Sequence, residues 1–191
     1  MNQLIKEIKN CTICQEHLVD GCRPVFVAHP KSKILIIGQA PGRRVHESGI
    51  PWHDKSGENL RKWLAVTEAE FYDEELFGII PMGFCFPGTG KSGDLPPRKE
   101  CAPQWHPMLL EKMTTVKLTL LVGSYAQKYY LGKQAKKNLT ETVMHFEEYL
   151  PNYLPLPHPS PRNNIWMKKN QWFAKDLLPQ LKQIIQKAKE A

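Results

Sequence analysis

Four short apolar runs, each passing directly into a turn rich in glycine or proline, set the strongest limit on what this chain can fold into. Residues 33–37, KILII, lead into GQAPGRR, and residues 77–86, FGIIPMGFCF, lead into PGTGKSGDLPPRKE, a loop by composition. From residue 117, KLTLLVGSYAQKYYL reads as a strand ending at Gly123 and a helix beginning near Ser124. The fourth run, YLPL, lies just before His158. Short runs rich in branched apolar residues and bounded by turn formers are strands. Helical patterns separate them: GENLRKWLAV with Leu60, Trp63 and Leu64 on one face, CAPQWHPMLLEKM, and WFAKDLLPQLKQIIQKAKEA, broken at Pro179. This alternation predicts a three-layer α/β/α fold with a central four-stranded, mostly parallel sheet covered by helices on both faces. No internal repeat is visible, so residues 1–191 are read as a single domain. The first thirty residues read as a lead-in helix and a cysteine-bearing loop packed on the sheet.

In open sheets of this kind the ligand crevice lies at the carboxyl ends of the strands. GQAPG, PMGFCFPG, GSYAQ and HPSPRNN all fall there, one after each strand, so four loops converge on one edge. With 41% hydrophobic residues and no apolar run near the ~20 residues of a membrane span, a soluble protein is expected and a membrane protein is not. The opening MNQLIKEIKNCTIC lacks the apolar centre of a secretion signal, which makes the cytoplasm the expected compartment. A formal net charge of +7 is compatible with an anionic partner.

The five cysteines, Cys11, Cys14, Cys22, Cys85 and Cys101, need a use other than disulfides in a reducing compartment. Cys11 and Cys14 have the CxxC spacing of metal and cluster sites, and Cys85 and Cys101 bracket a long loop. Soft thiolates suit an iron–sulfur cluster or zinc. Buried free thiols acting as small hydrophobes are the plain alternative.

The segment LPLPHPSPRNN, residues 154–164, alternates proline with other residues around His158. Each proline fixes its own φ and keeps the preceding residue extended, so the segment is stiff and holds an imidazole with little freedom. An imidazole can exchange a proton or donate a hydrogen bond near neutral pH. Gly38 and Gly42, around Pro41, let the backbone approach a ligand and aim N–H groups at it. In GIPWHDKSGENL, Trp52 precedes a helix start where Ser56 can cap and the N–H groups near Gly57 can hold a phosphate. Core packing is the commoner fate of a tryptophan such as Trp52.

GQAPG, GIPWHDKSG and HPSPRNN, in this order and each after a strand, resemble the uracil-DNA glycosylase superfamily, most closely its family 4, the thermostable iron–sulfur branch. The layout of Cys11, Cys14, Cys85 and Cys101 is similar to that family's [4Fe–4S] ligands, and the likeness spans about residues 10–175. The resemblance implies a single glycosylase-like domain that excises uracil or another deaminated base from DNA, with the damaged DNA as partner and the monomer as working form. It implies that Gly38, Gln39, Ala40, Pro41 and Gly42 line a base pocket and that Trp52 stacks on the base. His158 would face the O2 side of the base. Ser160, Pro161, Arg162 and Asn163 would belong to the loop that presses into the duplex, with Ser56 and Gly57 on its phosphates. The four cysteines would hold a structural [4Fe–4S] cluster, with zinc or no metal as alternatives, and Cys22 has no role in that scheme.

Two positions depart from the pattern. Gln39 stands where the family has a glutamate that orients or activates water, and Pro81 where it has an asparagine that reads the uracil edge. Pro81 thus remains a pocket residue without a side-chain hydrogen bond to give. Water could be placed by Gln39 or polarised by a carboxylate, with Asp54, Glu47 and Asp94 as candidates. Glu47 and Asp94 read more readily as solvated loop charges, which leaves His158, Gln39 and Asp54 as the expected catalytic set. A catalytically weak or inactive DNA-binding protein on the same fold is the alternative, motivated by Gln39 and Pro81. A nucleobase or nucleotide hydrolase acting on free small molecules is the third.

Overall fold

A computed structural model describes residues 1–190. Helix α1 (Asn2–Lys9) comes first, and after a long irregular stretch the chain enters β1 (Ile34–Ile37). Helices α2 (Arg43–Ser48), α3 (Lys55–Leu64) and α4 (Glu68–Phe71) carry it back to β2 (Phe77–Ile79). Two short strands, β3 (Thr89–Gly90) and β4 (Gly93–Asp94), precede α5 (Cys101–Lys112) and β5 (Leu118–Val122). Helices α6 (Ser124–Leu131) and α7 (Leu139–Met144) lead to β6 (Tyr153–Leu156), followed by α8 (Asn164–Lys169) and α9 (Leu178–Glu190).

The main sheet has four strands in the order β2-β1-β5-β6, and every neighbouring pair is parallel. A parallel sheet covered on both faces needs strands that are apolar throughout, which is why all four residues of β1 are buried. Successive side chains of β1 enter opposite cores. Ile34 and Ile36 pack with Leu60 and Leu64 of α3 and with Leu181 and Ile185 of α9. Leu35 and Ile37 pack with Leu4 and Ile8 of α1, Leu109 of α5 and Ala126 of α6. The result is the three-layer α/β/α arrangement expected from the strand–helix alternation.

Three local expectations are corrected. PGTGKSGDLPPRKE contains a small antiparallel hairpin, in which Thr89 pairs with Asp94 and Gly90 with Gly93. Its glycines and polar residues conceal a strand pairing only two residues long. The last helix is not broken at Pro179, which is the second residue of α9, where a missing backbone N–H goes unneeded. A wider turn of helix over Phe173–Leu177 feeds into it without a gap. Finally, β2 ends at Ile79, and the rest of the apolar run is irregular though buried.

Pro155 lies inside β6 without breaking the sheet, because β6 is an edge strand paired only with β5. Among the described residues no helix is long and apolar enough to cross a membrane. Ile36 is fully buried at the sheet centre, whereas Ile165 on α8 is 70% exposed. Urea melts should therefore show Ile36→Ala losing about 2–5 kcal/mol and Ile165→Ala less than about 0.5 kcal/mol.

Candidate active site

The turn leaving β1 and the chain leaving β2 are joined by backbone hydrogen bonds. Ile80 N–H donates to Ile36 O at 3.0 Å, Met82 N–H to Gly38 O at 2.9 Å and Gly83 N–H to Gln39 O at 2.9 Å. Pro81, between two donors that face β1, needs no N–H of its own. Its carbonyl accepts instead from His106 Nε2 at 3.0 Å. A carbonyl can only accept, so His106 carries its proton on Nε2 and its Nδ1 accepts from Tyr130 Oη at 2.6 Å. Burial pushes His106 down to about 4, which keeps it neutral. Sequence reasoning missed this residue, because a histidine within an apolar helix carries no motif.

A cavity of about 430 Å³ opens at the carboxyl edge of the sheet. Gly38, Gln39, Ala40, Pro41 and Gly42 form one wall, with Trp52, Asp54 and Ser56 beside them. Pro81 contributes from the chain after β2, and His158, Ser160 and Arg162 from the loop after β6. With Asp94 from the β3–β4 hairpin, thirteen residues singled out from the sequence thus share one hollow. Gly57, Pro161 and Asn163 stand behind or outside it. Val25, Val45, Pro51 and Ile79, which the sequence did not single out, complete the apolar part of the lining. Glu47 is exposed, and its carbonyl accepts from Arg23 Nη1 at 2.9 Å.

Trp52 has a φ of +56°, a conformation that costs a non-glycine residue roughly 1–3 kcal/mol. The surrounding turn enforces it. Tyr72 Oη donates to Pro51 O at 3.0 Å, and Gly57 packs beneath the Trp52 carbonyl, where an added Cβ would approach the oxygen to 1.8 Å. The indole lies over Gly38, where an added Cβ would meet Cζ2 at 2.9 Å. Its centroid is 5.6 Å from that of His158, with the rings inclined at 34°. The cap of α3 is Asp54, not Ser56: Asp54 Oδ1 accepts from Gly57 N–H at 2.8 Å. That N–H is therefore occupied rather than open to a phosphate.

The proline-rich loop is tied down from three sides. Asn59 Nδ2 donates to Pro159 O at 2.9 Å, Asn163 Nδ2 to His158 O at 2.7 Å, and Arg162 N–H to Ser160 Oγ at 3.2 Å. Asn163 thus braces the loop from behind. Burial drives the His158 imidazole below its ordinary value, and the nearby Asp54 charge opposes this only in part. His158 is neutral at physiological pH, able to donate a hydrogen bond but not to place a cation in the pocket.

A second, smaller cavity on the α5 side is lined by all five cysteines together with Arg98. Cys22, left without a use by the sequence, belongs to this group. Burial pushes the Cys85 thiol up to about 12 and that of Cys101 up to about 11. Arg98 reaches both Cys14 and Glu100, which brings a cation to the sulfurs. In donor type the set suits a thiophilic metal or cluster. Among the described residues, however, no three His, Cys, Asp or Glu side chains are arranged as a metal-binding group.

Residues 25–182 match the uracil DNA glycosylase superfamily, and the chain belongs to that superfamily of DNA glycosylases. A solved structure with some likeness is the crystal structure of wild-type SMUG2 from Pedobacter heparinus. The two are 14% identical, the match covers 84% of this chain and 74% of that one, and the TM-score is 0.36.

His106 stays neutral in the fold down to about pH 4, while the unfolded imidazole protonates near its ordinary 6.5. Between those values the unfolded chain binds more protons, so stability falls as the pH drops through that window. The loss from His106 should reach roughly 3 kcal/mol by pH 4, and the lowered His158 adds to it in the same direction. Urea melts from pH 7 to pH 4 should show the slope, and His106→Phe should remove its own share.

Proposed function

We propose that this chain is a monofunctional DNA glycosylase that removes uracil or another deaminated base from DNA and leaves an abasic site. The reading is supported above all by one juxtaposition: Trp52, Gln39 and neutral His158 share a cavity at the carboxyl edge of the sheet. Extruding a nucleotide costs a few kcal/mol, which stacking on Trp52 and phosphate contacts would offset. The exposed Arg162, which lines the cavity, suits the phosphates.

Cleaving the N-glycosidic bond sends its electron pair to the base and leaves positive charge on the sugar. The departing anion needs preorganised donors more than it needs an acid. His158, held neutral by burial and braced by Asn163, would donate to the base oxygen. The Gln39 amide can both donate and accept, so it would read the base edge that Pro81 leaves unread. Asp54 would act from the α3 cap, fixing the Trp52 turn and countering positive charge.

Membership of the iron–sulfur branch is part of the proposal, with Cys11, Cys14, Cys85 and Cys101 as ligands of a [4Fe–4S] cluster that braces α5 against the N-terminal loop. Their convergence on one cavity beside Arg98 supports it. Such a cluster would be structural, and no step of base release would pass through it. A brown protein with iron and sulfide in the ratio of the cluster's formula is the expected result. A colourless protein containing zinc, or no metal, would remove the cluster and leave the glycosylase reading in place.

A second reading, DNA recognition without chemistry, is favoured by Pro81, whose side chain offers the pocket no hydrogen bond. The test is base release from oligonucleotides carrying uracil, hypoxanthine or xanthine. Release is expected for at least one of them, and His158→Ala should slow it by about 100-fold or more without unfolding the protein. Salt-dependent DNA binding with no release of any base would select the second reading.

A further inference from the structure

We propose that Asp94, on the β3–β4 hairpin, is the general base that activates the attacking water. This rests on the glycosylase reading, whose chemistry requires a nucleophile. Water at neutral pH is a weak one, and a positioned carboxylate is the usual means of taking its proton.

The pocket wall carries two carboxylates, Asp54 and Asp94. Asp54 is already engaged. Its Oδ1 accepts the Gly57 N–H at 2.8 Å, so this carboxylate is tied to the α3 cap. The Asp94 carboxylate has neither a hydrogen bond nor an ion pair among the described residues. Its Oδ2 lies 3.4 Å from the point where a side chain on Gly42 would begin, so it hangs over the GQAPG wall of the pocket.

The hairpin holds that position. Arg162, from the His158 loop, lies against it, with Nη1 2.6 Å from where a Cβ on Gly93 would stand. The charged groups facing Asp94 are Arg162 from that loop, Arg43 from α2 and Asp54 from the α3 cap. Desolvation raises the Asp94 carboxyl above its ordinary value, the two arginines pull it down, and Asp54 pushes it up again. The net rise makes the Asp94 carboxylate a better proton acceptor. Asp94 is exposed, in keeping with the solvated charge that composition suggested, and the hairpin sets it at the rim of the pocket.

The step balances without any further reactant. The water oxygen bonds to C1′ as the C1′–N bond breaks and its electron pair leaves with the base. The water proton passes to the Asp94 carboxylate and then to the released base anion, restoring the carboxylate.

The experiment measures single-turnover base release by wild type, Asp94→Asn, Asp94→Glu and Asp94→Ala, with duplex binding measured on an abasic product analogue. Asp94→Asn should lower the chemical rate by about 100-fold or more while binding of the product analogue is retained. Asp94→Glu should recover part of the rate. Sodium formate should restore part of the Asp94→Ala rate, an effect that loss of a merely structural contact would not show. A wild-type rate in Asp94→Asn, or a slow Asp94→Ala that formate does not rescue, would overturn the assignment. If wild type itself releases no base from any substrate, the glycosylase reading fails, and this assignment fails with it.

Discussion

The pocket depends on the backbone pairing between the turn after β1 and the chain after β2. Three hydrogen bonds, from Ile80, Met82 and Gly83 to the carbonyls of Ile36, Gly38 and Gln39, extend the parallel register past the end of the sheet. They set Pro81 opposite Gly38, next to Gln39, and leave the glycine turn open to the cavity. Without them GQAPG would be an unsupported loop. His106 completes the arrangement from the far side by holding the Pro81 carbonyl, with Tyr130 fixing its tautomer. A residue pair that looks like a loss on the catalytic side is, on the structural side, a rigid floor.

The stiff segment around His158 is the other fixed part. Pro155, Pro157 and Pro159 are buried, so the segment is anchored in the interior as well as extended by its own dihedrals. Asn59, Asn163 and Ser160 then take up the backbone groups that an extended loop leaves free. The imidazole of His158 is placed against Trp52 by two independent constraints, the proline loop and the left-handed turn at Trp52. Small displacements of such groups are costly to catalysis, which gives the stiffness a use.

The strands and the edge where the site lies were legible because their signals are local: KILII, LTLLV and YLPL are dominated by apolar residues, and each is followed by a turn former. What escaped the sequence depends on contacts between distant segments. The β3–β4 hairpin is too short to show periodicity, so Asp94 reads as loop until Arg162 is seen packed against it. Ser56 and Asp54 are both good caps by type, and only the geometry of the Trp52 turn selects Asp54. Cys22 has no spacing partner in the sequence, yet the fold brings it to the cavity of the other four cysteines. His106 becomes a pocket support only once α5 lies beneath Pro81.

The central claim is that Trp52 and His158 grip a nucleobase drawn out of the duplex. A crystal structure of the protein with duplex DNA carrying a 2′-fluorinated, uncleavable deoxyuridine tests it directly. The account predicts the uracil ring stacked on the Trp52 indole, with the His158 imidazole donating to the base oxygen and Gln39 along its edge. A uracil still stacked in the helix, or lodged anywhere other than this cavity, would contradict it.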